Sequence, residues 1–286
     1  MPGGAEQEYW GGSVAHAAGR PSSDDFLPIA ILHTEQAHSA RLYDYILGGK
    51  DNYTADRVAA HKLLRAWPGV KDSMLANRAF MHRVATFLAQ EAGIRQFLDI
   101  GTGIPISPNL HEVVQRTAPD ARIVYVDNDP IVLTHARALL TGAPQGRTAY
   151  VEADMRRPET ILTAPAFTDT LDLSEPIALT VIAMVHLIAD EDAFPLVDRL
   201  VQALPSGSYL ALSTSTADTA PEMHEVARLS REEGIDLQLR SKEKVEEFFQ
   251  GMELVEPGVQ LINRWRPGTE VVEADIAMYG GVARKP

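Results

Sequence analysis

Residues Gln96–Asn109 read QFLDIGTGIPISPN: an apolar strand carrying an acid near its end, a turn with two glycines, and the start of a helix. Gly101 and Gly103 let the backbone turn tightly and approach a ligand, while free helix N–H groups point at whatever lies there. A plain glycine-rich βα loop is the alternative. A dinucleotide fingerprint would place a third glycine where Ile106 stands, with Pro105 stiffening the loop, so a nicotinamide-dependent oxidoreductase is disfavoured. Asp99, just before the glycines, is a carboxylate able to meet the ammonium of an amino-acid-like ligand. Ser107 is expected to cap the next helix, with Pro108 at its first position.

Outward from this stretch, strands alternate with helices. RIVYVD is a second strand, and PIVLTHARALL a helix opened by Asp129. TAYVEAD is a third strand, and PIALTVIAMV a fourth, apolar throughout and so buried on both faces. DEDAFPLVDRLVQAL, Thr219–Glu233 and SKEKVEEFFQ read as helices around a fifth strand, GSYLALST. Two β-like segments close the chain, near Glu253–Val259 and Ala274–Ala283. This order predicts an α/β fold, a mostly parallel sheet with helices on both faces and ligands at the carboxyl ends of the strands. Before it, residues 29–92 form an N-terminal helical cap: two short helices around Gly48–Gly49, then a longer one over Asn77–Glu91. Residues 1–28 read as a flexible tail, and 93–286 as the ligand-binding core.

Composition sets the outer limits. A formal net charge of −13 over 286 residues works against a nucleic-acid partner, whose phosphates call for Lys and Arg. The chain has no cysteine, which removes disulfides and thiolate chemistry. No metal-binding spacing occurs among the histidines, so no metal is expected. No apolar run is long enough to span a bilayer. No signal peptide is read at the start, and cytoplasm is the default compartment.

At the strand ends, Asp127 in VYVDNDP is placed to accept hydrogen bonds from a ribose diol, or else to serve a local capping network. Asp154 in VEADMR could accept from an exocyclic amine, or simply be a solvated loop acid. Asp99, Gly101, Gly103, Asp127 and Asp154, on successive strand ends, resemble the cofactor site of class I S-adenosylmethionine-dependent methyltransferases. ARLYDYILGGKDNYTADR, FLDIGTGIP, VYVDNDP, VIAMVH and the ending LVEPG…WRP…YGGVARK together resemble one bacterial family of S-adenosylmethionine methyltransferases, long treated as a domain of unknown function.

The resemblance implies a Rossmann-like sheet of seven strands whose last runs antiparallel. It places the methionine moiety near Gly101, Thr102 and Gly103, the ribose on Asp127, and the adenine between Asn128 and Asp154–Met155. S-adenosyl-L-methionine is the implied cofactor, a small molecule the implied methyl acceptor, and a homodimer one assembly open to such a chain. His186, after the fourth strand, resembles the catalytic histidine of small-molecule O-methyltransferases, where it would be a general base; a satisfied structural histidine is the alternative. Arg41, Tyr43, Asp44, Lys50, Asn52 and Tyr53 would belong to a cap over cofactor and substrate, or to an ordinary helix pair. Trp265, in the late INRWRPG loop, could line the substrate side, with a core aromatic the favoured reading. A non-catalytic S-adenosylmethionine or nucleoside sensor would keep the cofactor residues without needing His186.

Overall fold

The computed structural model describes residues 33–139, 142–268 and 274–286, so the tail expected over residues 1–28 lies outside the described residues. Three helices lead: α1 (Ser39–Ile46), α2 (Thr54–Ala66) and α3 (Gly69–Gln90). The α3 helix starts well before Asn77 because Val70, Ser73 and Asn77 continue the buried face of Phe80, Met81, Val84 and Leu88 at helical spacing. Then come β1 (Gln96–Ile100), α4 (Leu110–Gln115), β2 (Arg122–Asp127), α5 (Pro130–Leu139) and β3 (Arg147–Glu152). Two short helices, α6 (Pro158–Leu162) and α7 (Pro165–Thr168), lead into β4 (Ala178–Ile182), α8 (Asp190–Gln202) and β5 (Tyr209–Ser215). The chain closes with α9 (Met223–Glu232), α10 (Lys242–Glu247), β6 (Glu253–Leu254), β7 (Gln260–Leu261) and β8 (Met278–Arg284).

The strand order is β3-β2-β1-β4-β5-β8-β6, with β7 also paired to β8. Strands β1 to β5 run parallel, and β8 runs antiparallel to β5. The sheet has eight strands rather than the expected seven. The segment expected as one strand over Glu253–Val259 does not form a single strand; β6 and β7 are separated by a turn in which the Gly258 N–H donates to the Val255 carbonyl at 2.9 Å, and Pro257 has no N–H to give a ladder. The chain order reverses between β1 and β4, and at such a switch point a crevice opens beyond the strand ends.

Alternation along the strands divides the core. Leu98, Ile100, Val124, Val126, Leu179 and Leu212 face α6, α7, α8 and α10. Phe97, Ile123, Tyr125, Ala178 and Ala211 face α3 and α4. Trp265 is fully buried on this second side, edge-on to Phe80 and Phe87 with centroids 5.5 and 6.0 Å away, which makes it the core aromatic expected. A third cluster joins Leu42, Leu63 and Trp67 to Met223 and Val226, packing α1 and α2 on α9. No helix among the described residues is long and apolar enough to cross a membrane.

Candidate active site

The turn after β1 is tied to β2 before it reaches any ligand. The N–H groups of Gly101 and Thr102 donate to the Val126 carbonyl at 2.8 and 3.2 Å. The Gly103 N–H donates to Asp127 Oδ2 at 2.9 Å, while Asp127 Oδ1 accepts from the Asp129 N–H at 2.9 Å. Gly101 and Gly103 have φ of +76° and +64°, a region L side chains rarely adopt. Their surroundings differ: a Cβ on Gly101 would stand 2.0 Å from Met184 Sδ, whereas one on Gly103 would meet nothing within 4 Å. The helix beyond begins later than expected. Asn109, not Ser107, caps α4, its backbone N–H donating to the Glu112 carboxylate, and the Ser107 hydroxyl bonds the same side chain at 3.3 Å.

All eight residues expected at the cofactor line one cavity of about 440 Å³: Asp99, Gly101, Thr102, Gly103, Asp127, Asn128, Asp154 and Met155. Asp99 sits on the α3 side of β1, where burial raises its pKa to about 6 against the help of the Thr180 hydroxyl that donates to it. No ion pair reaches it among the described residues. Asp127 is also raised, by burial, despite its two backbone donors. Asp154 is already engaged, accepting from the Arg156 N–H at 2.8 Å and pairing with its guanidinium at 3.3 Å.

The same cavity continues to the tip of β4. There the strand stops at Ile182 because Ala183 takes φ of +56°, its N–H donating to the Ser213 hydroxyl at 3.0 Å. A single 3₁₀ turn, Val185–Leu187, then carries His186 into the cavity. His186 Nδ1 lies 3.3 Å from Ser215 Oγ on β5. Burial, helped by the nearby Arg240 cation, lowers the His186 pKa to about 3. Arg240 also builds the turn: it donates to the Val185 and Ile188 carbonyls at 2.8 Å each and pairs with Asp190 at 2.9 Å. The Gln238 N–H donates to the His186 carbonyl at 2.7 Å.

The N-terminal candidates divide. Tyr43 lines the cavity, its hydroxyl donating to the Met74 carbonyl at 2.9 Å. Arg41 is buried and turned away from it, bonded to Asp56 at 3.0 Å, to Asp129 at 3.3 Å and to the Gln36 carbonyl at 2.7 Å. Asp44 accepts from Asn52 Nδ2 at 2.8 Å and from the Asp51 N–H at 3.0 Å, holding the glycine turn between α1 and α2. Tyr53 begins α2 and Lys50 is exposed; neither lines the cavity. Sequence reasoning missed Asn77 and Arg78 of α3. Asn77 accepts from Ser213 at 2.7 Å, and Arg78 donates to the Ile106 carbonyl and, at 2.8 Å, to the Pro108 carbonyl, holding the glycine loop from outside the sheet. A polar pair on an otherwise apolar helix face was the only signal available.

A parallel sheet switched at β1/β4, an antiparallel last strand inserted beside β5, and acids at the tips of β1 and β2 define a class I S-adenosylmethionine-dependent methyltransferase. The profile of a family described as S-adenosyl methyltransferase matches residues 28–286, and the chain belongs to that family. Among solved structures it is similar to a DUF574-family protein from Streptomyces avermitilis, with 57% identity and TM-score 0.87 over 89% of this chain and 100% of that one. A candidate methyltransferase from Thermobifida fusca shares 40% identity and TM-score 0.83, covering 90% and 98% of the two chains. An O-methyltransferase family protein from Burkholderia thailandensis, 15% identical with TM-score 0.50 over 76% of this chain and 58% of that one, shares the fold alone. No curated protein matches. The enzyme's cofactor is S-adenosyl-L-methionine, and the cavity fits it: a half-buried carboxylate with no ion-pair partner among the described residues, open space over Gly103, and a strand-tip acid whose oxygens keep spare lone pairs.

Proposed function

We propose that the enzyme methylates a hydroxyl of a small molecule bound between the strand tips and the N-terminal helices, with His186 receiving the proton. The observation that carries this reading is the continuity of one cavity from Asp99 and Asp127 to His186 and Ser215. In this assignment Asp99 faces the ammonium of the cofactor's amino-acid tail, Gly101, Thr102 and Gly103 border that tail, and Asp127 accepts from the ribose. Asn128, Asp154 and Met155 flank the adenine. When bound, the cofactor supplies a methyl group on a positively charged sulfur. The acceptor oxygen would take that methyl and release its hydroxyl proton to His186, a neutral thioether being left as the cofactor product.

A base with pKa about 3 stays neutral over the physiological range, so its lone pair is always available, although the driving force for taking a proton is small. Transfer then coincides with formation of the carbon–oxygen bond rather than preceding it. With Nδ1–H donating to Ser215 Oγ, Nε2 is the accepting atom. The helices α1 and α2 serve as cover: Tyr43, Leu63 and Trp67 line the cavity from above the strand tips. This cover and the net charge of −13 support a small molecule rather than a nucleic acid. The test is a pair of measurements on His186→Ala: calorimetric affinity for S-adenosylhomocysteine and transfer of labelled methyl to a metabolite extract. Retained affinity with transfer cut a hundredfold or more is the expected outcome; full transfer removes His186 from the reaction.

A further inference from the structure

The cavity is lined by two different kinds of surface. At the strand tips it is acidic. On the helical side it is formed by Leu63, Trp67, Met74, Met223, Val226 and Met278, drawn from α2, α3, α9 and β8. With Met81, Met155 and Met184, six of the chain's eight methionines line this one cavity. Methionine is unbranched and polarisable, and its sulfur makes favourable contacts with aromatic ring edges.

Among the charged groups lining the cavity, Arg78 and Arg156 lie at the glycine-loop and strand-tip end, and α2, α9 and β8 contribute none. Arg78 is bonded to loop carbonyls, and Asp236 is exposed and paired with Arg231 at 3.2 Å. His38 pairs with Asp129 at 3.3 Å. An ionised acceptor laid against α2, α9 and β8 would lose its hydration beside walls that supply no cationic side chain. The other polar side chains on this side are uncharged, Tyr43, Ser73, Asn77 and Ser230 among them, with His186 and Ser215 at the inner end.

We propose that the methyl acceptor is an uncharged aromatic molecule, its ring laid among Met74, Met223, Met278 and Trp67 and its hydroxyl directed at His186 and Ser215. This rests on the methyl-transfer reading above and adds the substrate class. The reaction is the one already balanced: an aryl oxygen–methyl bond forms, the sulfur–methyl bond breaks, and the phenolic proton leaves by His186.

The test uses the full chain saturated with S-adenosylhomocysteine and two probes, naphthol and hydroxynaphthoate, which differ by one carboxylate. Calorimetry is expected to show naphthol binding at least tenfold tighter. Ile235, half-buried on the rim, offers the converse experiment: Ile235→Lys narrows or reverses the preference, its fold checked by circular dichroism, with Leu237→Lys as a second variant should the first fail to fold. Equal or tighter binding of hydroxynaphthoate to the unmodified chain overturns the proposal, as does absence of binding by both probes while S-adenosylhomocysteine binds. Failure of S-adenosylhomocysteine itself to bind overturns the underlying reading and the proposal with it.

Discussion

At the scale of single residues, the site places an acid where the fold would be more stable without one. Asp99 is raised to about 6 from an ordinary 3.8 by burial, so the folded chain holds its proton more tightly than the unfolded chain does. A raised carboxylate makes stability fall as pH climbs from about 4 to about 6. Above that window the whole penalty is present. Asp99→Asn is therefore expected to raise the apo melting temperature at pH 7.5 while weakening S-adenosylmethionine binding, a combination read by thermal unfolding and calorimetry. Binding itself should weaken as pH falls through about 6, because the cofactor ammonium then meets a neutral acid; the loss approaches tenfold per pH unit well below that point. Asp99→Asn should flatten that slope, and a slope that persists in the variant assigns the proton elsewhere. The two glycines give a second contrast. Gly101→Ala places a methyl against Met184 and strains φ, so apo stability should fall by at least the ~1 kcal/mol of a left-handed alanine. Gly103→Ala carries the same left-handed strain, about 1 kcal/mol, but meets no neighbour, so it should destabilise the apo fold less than Gly101→Ala while still weakening cofactor binding.

At the scale of elements, the 3₁₀ turn bearing His186 is bonded at two of its carbonyls and at Asp190 by Arg240, which comes from a segment after α9 that carries no motif. Replacing it with Gln removes a cation and two carbonyl contacts, so methyl transfer should fall at least tenfold with S-adenosylhomocysteine affinity retained. The His186 imidazole signal should titrate at higher pH by NMR, since the repelling charge is gone; no shift would leave desolvation alone as its cause. What the sequence made legible follows the same division. β1, β2 and β4 are apolar runs whose acids or His fall where the pattern breaks, so the strand tips could be read directly. Asn77, Arg78, Ser213 and Arg240 could not, because each acts through a partner far away in sequence. Ser107 lost the cap of α4 to Asn109 because Asn109 stands three residues before Glu112, the spacing of a capping box. The Pro-interrupted α6 and α7 have no helical period to detect, and the β6–β7 break is set by a turn that alternation does not report.

At the scale of the whole molecule, Arg41 makes the strand-tip end of the cavity depend on the N-terminal helices. Its guanidinium joins Asp56 of α2 to Asp129, which caps α5 through the Ile131 N–H at 2.8 Å and also donates its own N–H to Asp127. Asp127, the acid proposed for the ribose, is thus two contacts from the helical cover, so a break in one should be felt in the other. Arg41→Met removes one partner from a network of buried carboxylates, and a loss of about 3–5 kcal/mol is expected in denaturant unfolding. Local unfolding of α1 and α2 should follow, seen as lost amide protection there. A bound ligand offsets part of this: S-adenosylhomocysteine at a hundred times its Kd adds about 2.7 kcal/mol. If cover and strand tip are coupled, ligand should also restore amide protection in α1 and α2 of the variant. If protection returns only around Gly101–Gly103, the helices are a separate lid and Asp129 is merely a cap. That pattern would confine cofactor binding to the sheet edge and leave the N-terminal helices with the acceptor alone.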